Sequence, residues 1–96
     1  MQDPPFAHVL HPEIVERLAR GKALERGRSY AAEGRVHGLA SKGAQLVARV
    51  HGTKTYDVSI WVKGDGLGYT CSCPAGDEGD FCKHCVAVAC AWLGRR

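Results

Sequence analysis

The chain has 96 residues, of which 45% are hydrophobic and 24% charged, and a formal net charge of +3. These proportions exclude a collagen, a coiled coil and wholesale disorder, and they describe an ordinary folded protein of one small domain. A chain this short buries only about 60–65% of the surface its unfolded form exposes, so its apolar core is marginal and a staple is expected.

Two adjacent prolines and no periodicity mark residues 1–10 as a flexible N-terminal arm, with residues 11–96 forming the domain. Pro12 at a first helical position, apolar Ile14, Val15 and Leu18, and Gly21 as a stop outline a helix from Pro12 to about Arg20. A second helix runs from Lys22 to Glu33, interrupted by Gly27 and closed by Gly34. The period then changes to two. Val36–Ser41 and the alternation of Leu46, Ala48 and Val50 predict two strands, and Tyr56, Val58, Ile60 and Val62 alternate with polar residues in the clearest strand of the chain. Turns at Lys42-Gly43, Gly52-Thr53 and Gly64-Asp65-Gly66 make these an antiparallel meander that ends in a strand over Leu67–Ser72. From Lys83 to Leu93 the chain is apolar, and Val86, Ala89, Cys90 and Leu93 fall on one helical face that should close the core. The fold class is α+β: two N-terminal helices, a small antiparallel sheet of three or four strands, a metal-bound loop and a C-terminal helix.

The dense chemical signal is Cys71-Ser72-Cys73, eight residues, then Cys82-Lys83-His84-Cys85. No apolar run approaches the roughly 18–20 residues of a membrane span, and Met1–Arg20 lacks the apolar segment of a secretory signal, so a cytoplasmic location without a membrane partner is expected. The cytosol keeps thiols reduced, and five cysteines cannot all pair with one another, so metal ligation explains them better than a disulfide framework. Structural zinc takes four thiolate or imidazole donors in a tetrahedron. Alternate residues of a strand share a face, which lets Cys71 and Cys73 aim at one point. Pro74, Gly76 and Gly79 permit the reversal that returns Cys82 to that point at the start of the last helix. Cys82 and Cys85 also form a C-x-x-C pair, and on a regular helix i, i+3 converges better than i, i+2. A four-thiolate site therefore competes with one that uses His84. Cys90, on the apolar face of the last helix, is expected in the core.

The order, the one-residue gaps and the proline after Cys73 resemble the SWIM zinc finger, C-x-C-x8-C-x-H, over residues 71–84. More loosely, Arg26-Gly27, Tyr30, Gly34-Arg35-Val36, Val50, Gly52, Tyr56, Val58 and Ile60 are similar to the helix-then-strands segment before the finger in bacterial SWIM-containing proteins. The resemblance implies one structural zinc ion held by Cys71, Cys73, Cys82 and His84, because the family places the first member of the last pair in the turn before the helix. It also implies an interaction module and not a catalyst.

Charge distribution points to the partner. From Arg17 to Lys54 there are nine Lys or Arg against Glu25 and Glu33. Arg26, Arg28, Arg35, Arg49 and Lys54, with Trp61 available for stacking, form the expected contact surface for nucleic acid, DNA in the first instance. The alternatives are a zinc-stabilised protein–protein adaptor, with Trp61 capping a partner, and a thiol redox protein using Cys82 and Cys85. The redox reading lacks the βαβ context such a pair needs. Four or five candidate donors leave no vacant position for a catalytic water, so neither an enzyme nor a small-molecule substrate is expected. The acids Asp77, Glu78 and Asp80 read as a solvated loop.

Overall fold

The computed structural model describes residues 5–64 and 66–94. The helices are α1 (Pro12–Leu18), α2 (Ala23–Ala32), the single-turn α3 (Pro74–Asp77) and α4 (Lys83–Gly94). Strands β1 (Val36–Lys42), β2 (Gln45–His51), β3 (Thr55–Lys63) and β4 (Gly66–Cys71) make one antiparallel sheet in the order β1-β2-β3-β4. The α+β meander is the fold the sequence pattern predicts. Of the three turns, Asp65 alone lies outside the described residues.

Glycine ends α2 where expected. Gly34 takes φ +73, and the Gly34 and Arg35 amides donate to the carbonyls of Ala31 and Tyr30, a Schellman closure that satisfies the last carbonyls of the helix. In the sheet, the pairs Leu46–Ile60, Ala48–Val58 and Val50–Tyr56 share one face, which β4 extends with Leu67, Tyr69 and Cys71. Period two sends Arg49, Asp57, Ser59 and Trp61 to the opposite face.

Helix α4 lies on the apolar face of the sheet, and α2 packs on α4. The spacing of apolar residues predicts a single buried stripe on α4. Instead Cys85, Val86, Ala87, Val88 and Ala89 are all fully buried, whereas Cys90 and Leu93 are half-buried. The reason is that α4 is covered on two sides, and a helix that is apolar all round is one that neighbours enclose. The close approach of α2 rests on Gly27: a Cβ there would overlap the Val86 side chain and stand 2.7 Å from the Lys83 carbonyl oxygen.

Residues 1–4 of the expected arm lie outside the described residues. The part that follows is packed: Pro5–His8 form a 3-10 turn, Phe6 and Leu10 are fully buried, and Phe6 meets Trp92 edge-on with ring centroids 5.1 Å apart. The burial has a simple cause, since these two large apolar residues fill the end of the core that α4 leaves beside the sheet.

Gly27→Ala tests the packing of α2 on α4. Alanine favours a helix over glycine by about 1 kcal/mol, but overpacking at this contact costs about 1–3 kcal/mol. A net loss of stability, read as a lower urea midpoint of the metal-loaded protein, is expected; a raised midpoint would show that the two helices do not meet at Gly27.

Candidate metal centre

Three elements bring the donors together. Cys71 is the last residue of β4, and Cys73 caps α3, where its sulfur accepts a hydrogen bond from the Gly76 amide at 3.3 Å. Gly76 is required by proximity, because a Cβ there would overlap the Cys71 carbonyl oxygen and come within 2.7 Å of the Cys71 Cβ. Gly79, at φ +90, completes the reversal. Cys82 directly precedes α4, its carbonyl accepting from the Val86 amide, and His84 sits in the first turn of the helix.

The Sγ atoms of Cys71, Cys73 and Cys82 and a ring nitrogen of His84 all lie within 4.8 Å of one another, and all four residues are buried. His84 Nδ1 stands 3.6 Å from Cys71 Sγ and 3.7 Å from Cys82 Sγ, and Cys73 Sγ stands 3.6 Å from Cys82 Sγ. Zinc bonds of about 2.3 Å to sulfur and about 2.0 Å to nitrogen give a tetrahedron with edges of about 3.8 Å and about 3.6 Å. The donor set fits zinc in chemistry and in size.

Cys85 is fully buried with its Sγ 3.8 Å from that of Cys82, yet it is outside the group of mutually close donors. The placement follows from the helix start. Because Cys82 lies in the turn before α4, residue 84 swings toward the Cys71 sulfur at the end of β4, and residue 85 points into the core against Cys82. The i, i+2 pair converges, as the resemblance implies.

Residues 56–91 match the SWIM zinc finger family model. Over that segment the chain is similar to a SWIM zinc finger. No curated protein and no solved structure matches it. The family match and the three-cysteine, one-histidine cluster assign one structural zinc ion to the protein. In the finger, Cys71, Cys73, Cys82 and His84 would hold that ion, which would tie the end of β4 and the loop to the start of α4.

Hydrogen bonding among the thiols concentrates negative charge on one sulfur. Cys82 is held far below the ordinary thiol value by hydrogen bonds from Cys71, then Cys85, with a further contribution from His84. Cys71 and Cys85 are pushed well above that value, first by their hydrogen bonds to Cys82 and then by burial. A bound dication supplies the charge that lets the remaining ligand thiols ionise.

Two tyrosines hold the imidazole of the SWIM finger. Tyr56 stacks on His84 at 4.5 Å with an interplanar angle of 32°, and Tyr30 lies on it at 5.8 Å. His84 Nε2 is buried without a hydrogen-bond partner among the described residues. It comes instead over Gly52, 3.6 Å from where a Cβ would stand, beside the Tyr30 hydroxyl at 3.5 Å from the same point. Sequence reasoning singled out neither tyrosine as a support for the ligand; their signal was that Tyr56 shares the in-pointing register of Val58 and Ile60.

The expected nucleic-acid residues do not form one surface. Arg28 pairs with Glu16 at 3.3 Å, and Arg35 pairs with Glu33 at 2.7 Å while its guanidinium lies over Tyr30. Arg49 is exposed opposite Asp57 on the outer face of the sheet, and Lys54 is exposed in the β2–β3 turn. Trp61 is half-buried on that same face, against Gly68 of β4, where a Cβ would overlap its indole. Arg26 alone of the six opens onto a cleft of about 680 Å³ beside the metal ligands.

Cobalt substitution checks the ligand set. Cobalt-loaded wild-type protein should show the thiolate charge-transfer bands of three sulfurs, Cys85→Ser should retain them with the metal bound, and His84→Ala should weaken metal binding by at least tenfold. Loss of the bands in Cys85→Ser, with His84→Ala unchanged, would replace His84 by Cys85 as the fourth ligand. Chelation of the native metal should unfold the domain by circular dichroism, since structural zinc contributes on the order of 10 kcal/mol of folding free energy.

Proposed function

We propose that the protein is a non-enzymatic zinc-binding module that docks nucleic acid through a surface rich in Arg and Lys. The supporting observation is electrostatic: Arg17, Arg20, Lys22, Arg26 and Lys83 line one cleft, where Asp80 is the one acid among the described lining residues. None of these five cations is in an ion pair among the described residues. A concave site walled by one sign of charge focuses field lines and attracts polyanions. The non-catalytic part of the reading is supported by a site with four buried protein donors, which leaves a tetrahedral ion no position for a reacting water. Cys82 and Cys85 are 5% and 0% exposed, which removes them from the reach of a disulfide substrate.

A protein-binding role has one observation in its favour. Trp61, Ala40 and Val47 are half-buried on the outer face of the sheet, against which no helix packs among the described residues. That area is broken up by exposed Arg49, Asp57, Gln45 and Lys63, so it is a weaker match to a partner than the cleft is to phosphate.

Fluorescence anisotropy with labelled oligonucleotides tests the leading reading. Binding near 50 mM salt should weaken linearly in log–log form as salt rises, with a slope of about −0.7 to −0.9 per phosphate contacted. No binding of any nucleic acid under those conditions would refute it. Retention of a stoichiometric protein partner after nuclease treatment, abolished by Trp61→Ala, would favour the adaptor instead.

A further inference from the structure

Resting on the nucleic-acid reading, we infer that the cleft between the α1–α2 corner and the metal-binding loop is a binding site for single-stranded nucleic acid, one wall of which is the metal-binding segment itself. One side of the cleft is α1 and α2, through Arg17, Arg20, Lys22 and Arg26. The other is the metal-binding segment itself, through Cys73, Pro74, Ala75 and Asp80–His84, with Lys83 as its cation. Tyr56 and Tyr69, each half-buried, line it from β3 and β4.

The combination is specific to a strand whose bases are unpaired. Proteins that hold single strands join a cationic groove, which follows the backbone, to aromatic rings on which bases stack, and each stacked base adds measurable affinity whatever its identity. Both parts are present here within one cavity. Its volume, about 680 Å³, lies within the range of pockets that enclose a small ligand, so it accommodates a nucleotide or two and not the width of a duplex.

A duplex asks for the opposite shape. Its major groove receives a protruding helix or ribbon. Helix α4 is buried over residues 84–89, and the exposed side of α2 carries Glu25 beside Arg26 and Arg28, with Arg28 already paired to Glu16 and Glu33 capping the helix at its C-terminal end. Five cations without an acidic partner among the described residues, Arg17, Arg20, Lys22, Arg26 and Lys83, instead surround a concavity.

The location also ties binding to the metal. Lys83 lies between Cys82 and His84, and Tyr56 stacks on His84, so an ion held by those ligands would fix the wall that carries Lys83 and Tyr56. The footprint shifts accordingly. Arg28, Arg35, Arg49, Lys54 and Trp61 fall outside the cleft, and Arg17, Arg20, Lys22, Lys83, Tyr56 and Tyr69 take their place with Arg26.

The test compares a fluorescein-labelled 12-mer oligo(dT) with a 12-base-pair duplex on the zinc-loaded full chain. The single strand should bind at least tenfold tighter, in keeping with the energy of one or two stacked bases. Arg20→Ala with Lys83→Ala should weaken oligo(dT) binding and lower the salt slope by about 0.7 for each contact removed. Tyr69→Leu should weaken it about tenfold with the salt slope unchanged, which separates stacking from charge. Arg49→Ala with Lys54→Ala, on surfaces outside the cleft, should leave binding within twofold. Zinc content and circular dichroism of each variant confirm that it is folded. Tighter binding of the duplex, or binding lost in Arg49→Ala with Lys54→Ala and kept in the cleft variants, would overturn the cleft while leaving a nucleic-acid role intact. Absence of binding to either probe would overturn both.

Discussion

The convergence of three sulfurs and one imidazole nitrogen is the constraint on which the remaining structure depends. Cys71 ends the sheet, Cys73 opens the loop and Cys82 with His84 begins α4, so a single ion would fix the sheet, the loop and the central helix relative to one another. The apolar core cannot do this alone in so short a chain. Its buried residues stop at the ligands themselves: Cys71, Cys73 and Cys82 are part of the same buried cluster as Ile60 and Val86. Metal site and core are therefore one cooperative unit, and the ion acts where the apolar packing runs out.

The same economy appears in the helices. Helix α4 packs on both the sheet and α2, and its small residues Ala87 and Ala89 let it serve as the central layer. Gly27 completes that arrangement from the α2 side, since it removes the one Cβ that would force the two helices apart. The interruption that glycine makes in the helical pattern of α2 costs local helix propensity, and the close packing against Val86 returns it. That contact also orients α2 so that Tyr30 reaches His84.

Period and punctuation made the elements legible. The alternation in β3, the glycines after α2 and in the hairpins, and the cysteine spacing each report local geometry, and local geometry is what a sequence encodes most directly. Less legible was anything that depends on two sides of an element being covered. The burial around α4 looked like a stripe because periodicity reveals one face and is silent about a second neighbour. The packing of Phe6 and Leu10 was hidden by two prolines, which describe backbone and not burial. The ligand choice between His84 and Cys85 turned on whether residue 82 lies before or within the helix, a boundary of one residue that spacing alone left open. The basic residues were legible as a run, but pairing sorted them: Glu16 and Glu33 neutralise Arg28 and Arg35, and neither pairing follows from the sequence.

Charge links the two halves of the functional reading. Three thiolates around one zinc ion carry a formal charge of about −1, and that charge would be buried at the floor of a cleft whose rim holds five cations. The same cations remain more numerous than the charge of the centre offsets, and the surplus faces solvent. On the proposed reading, the cleft whose cations would attract a polyanion is also lined by Cys73, Cys82 and His84, three of the residues that would hold the ion.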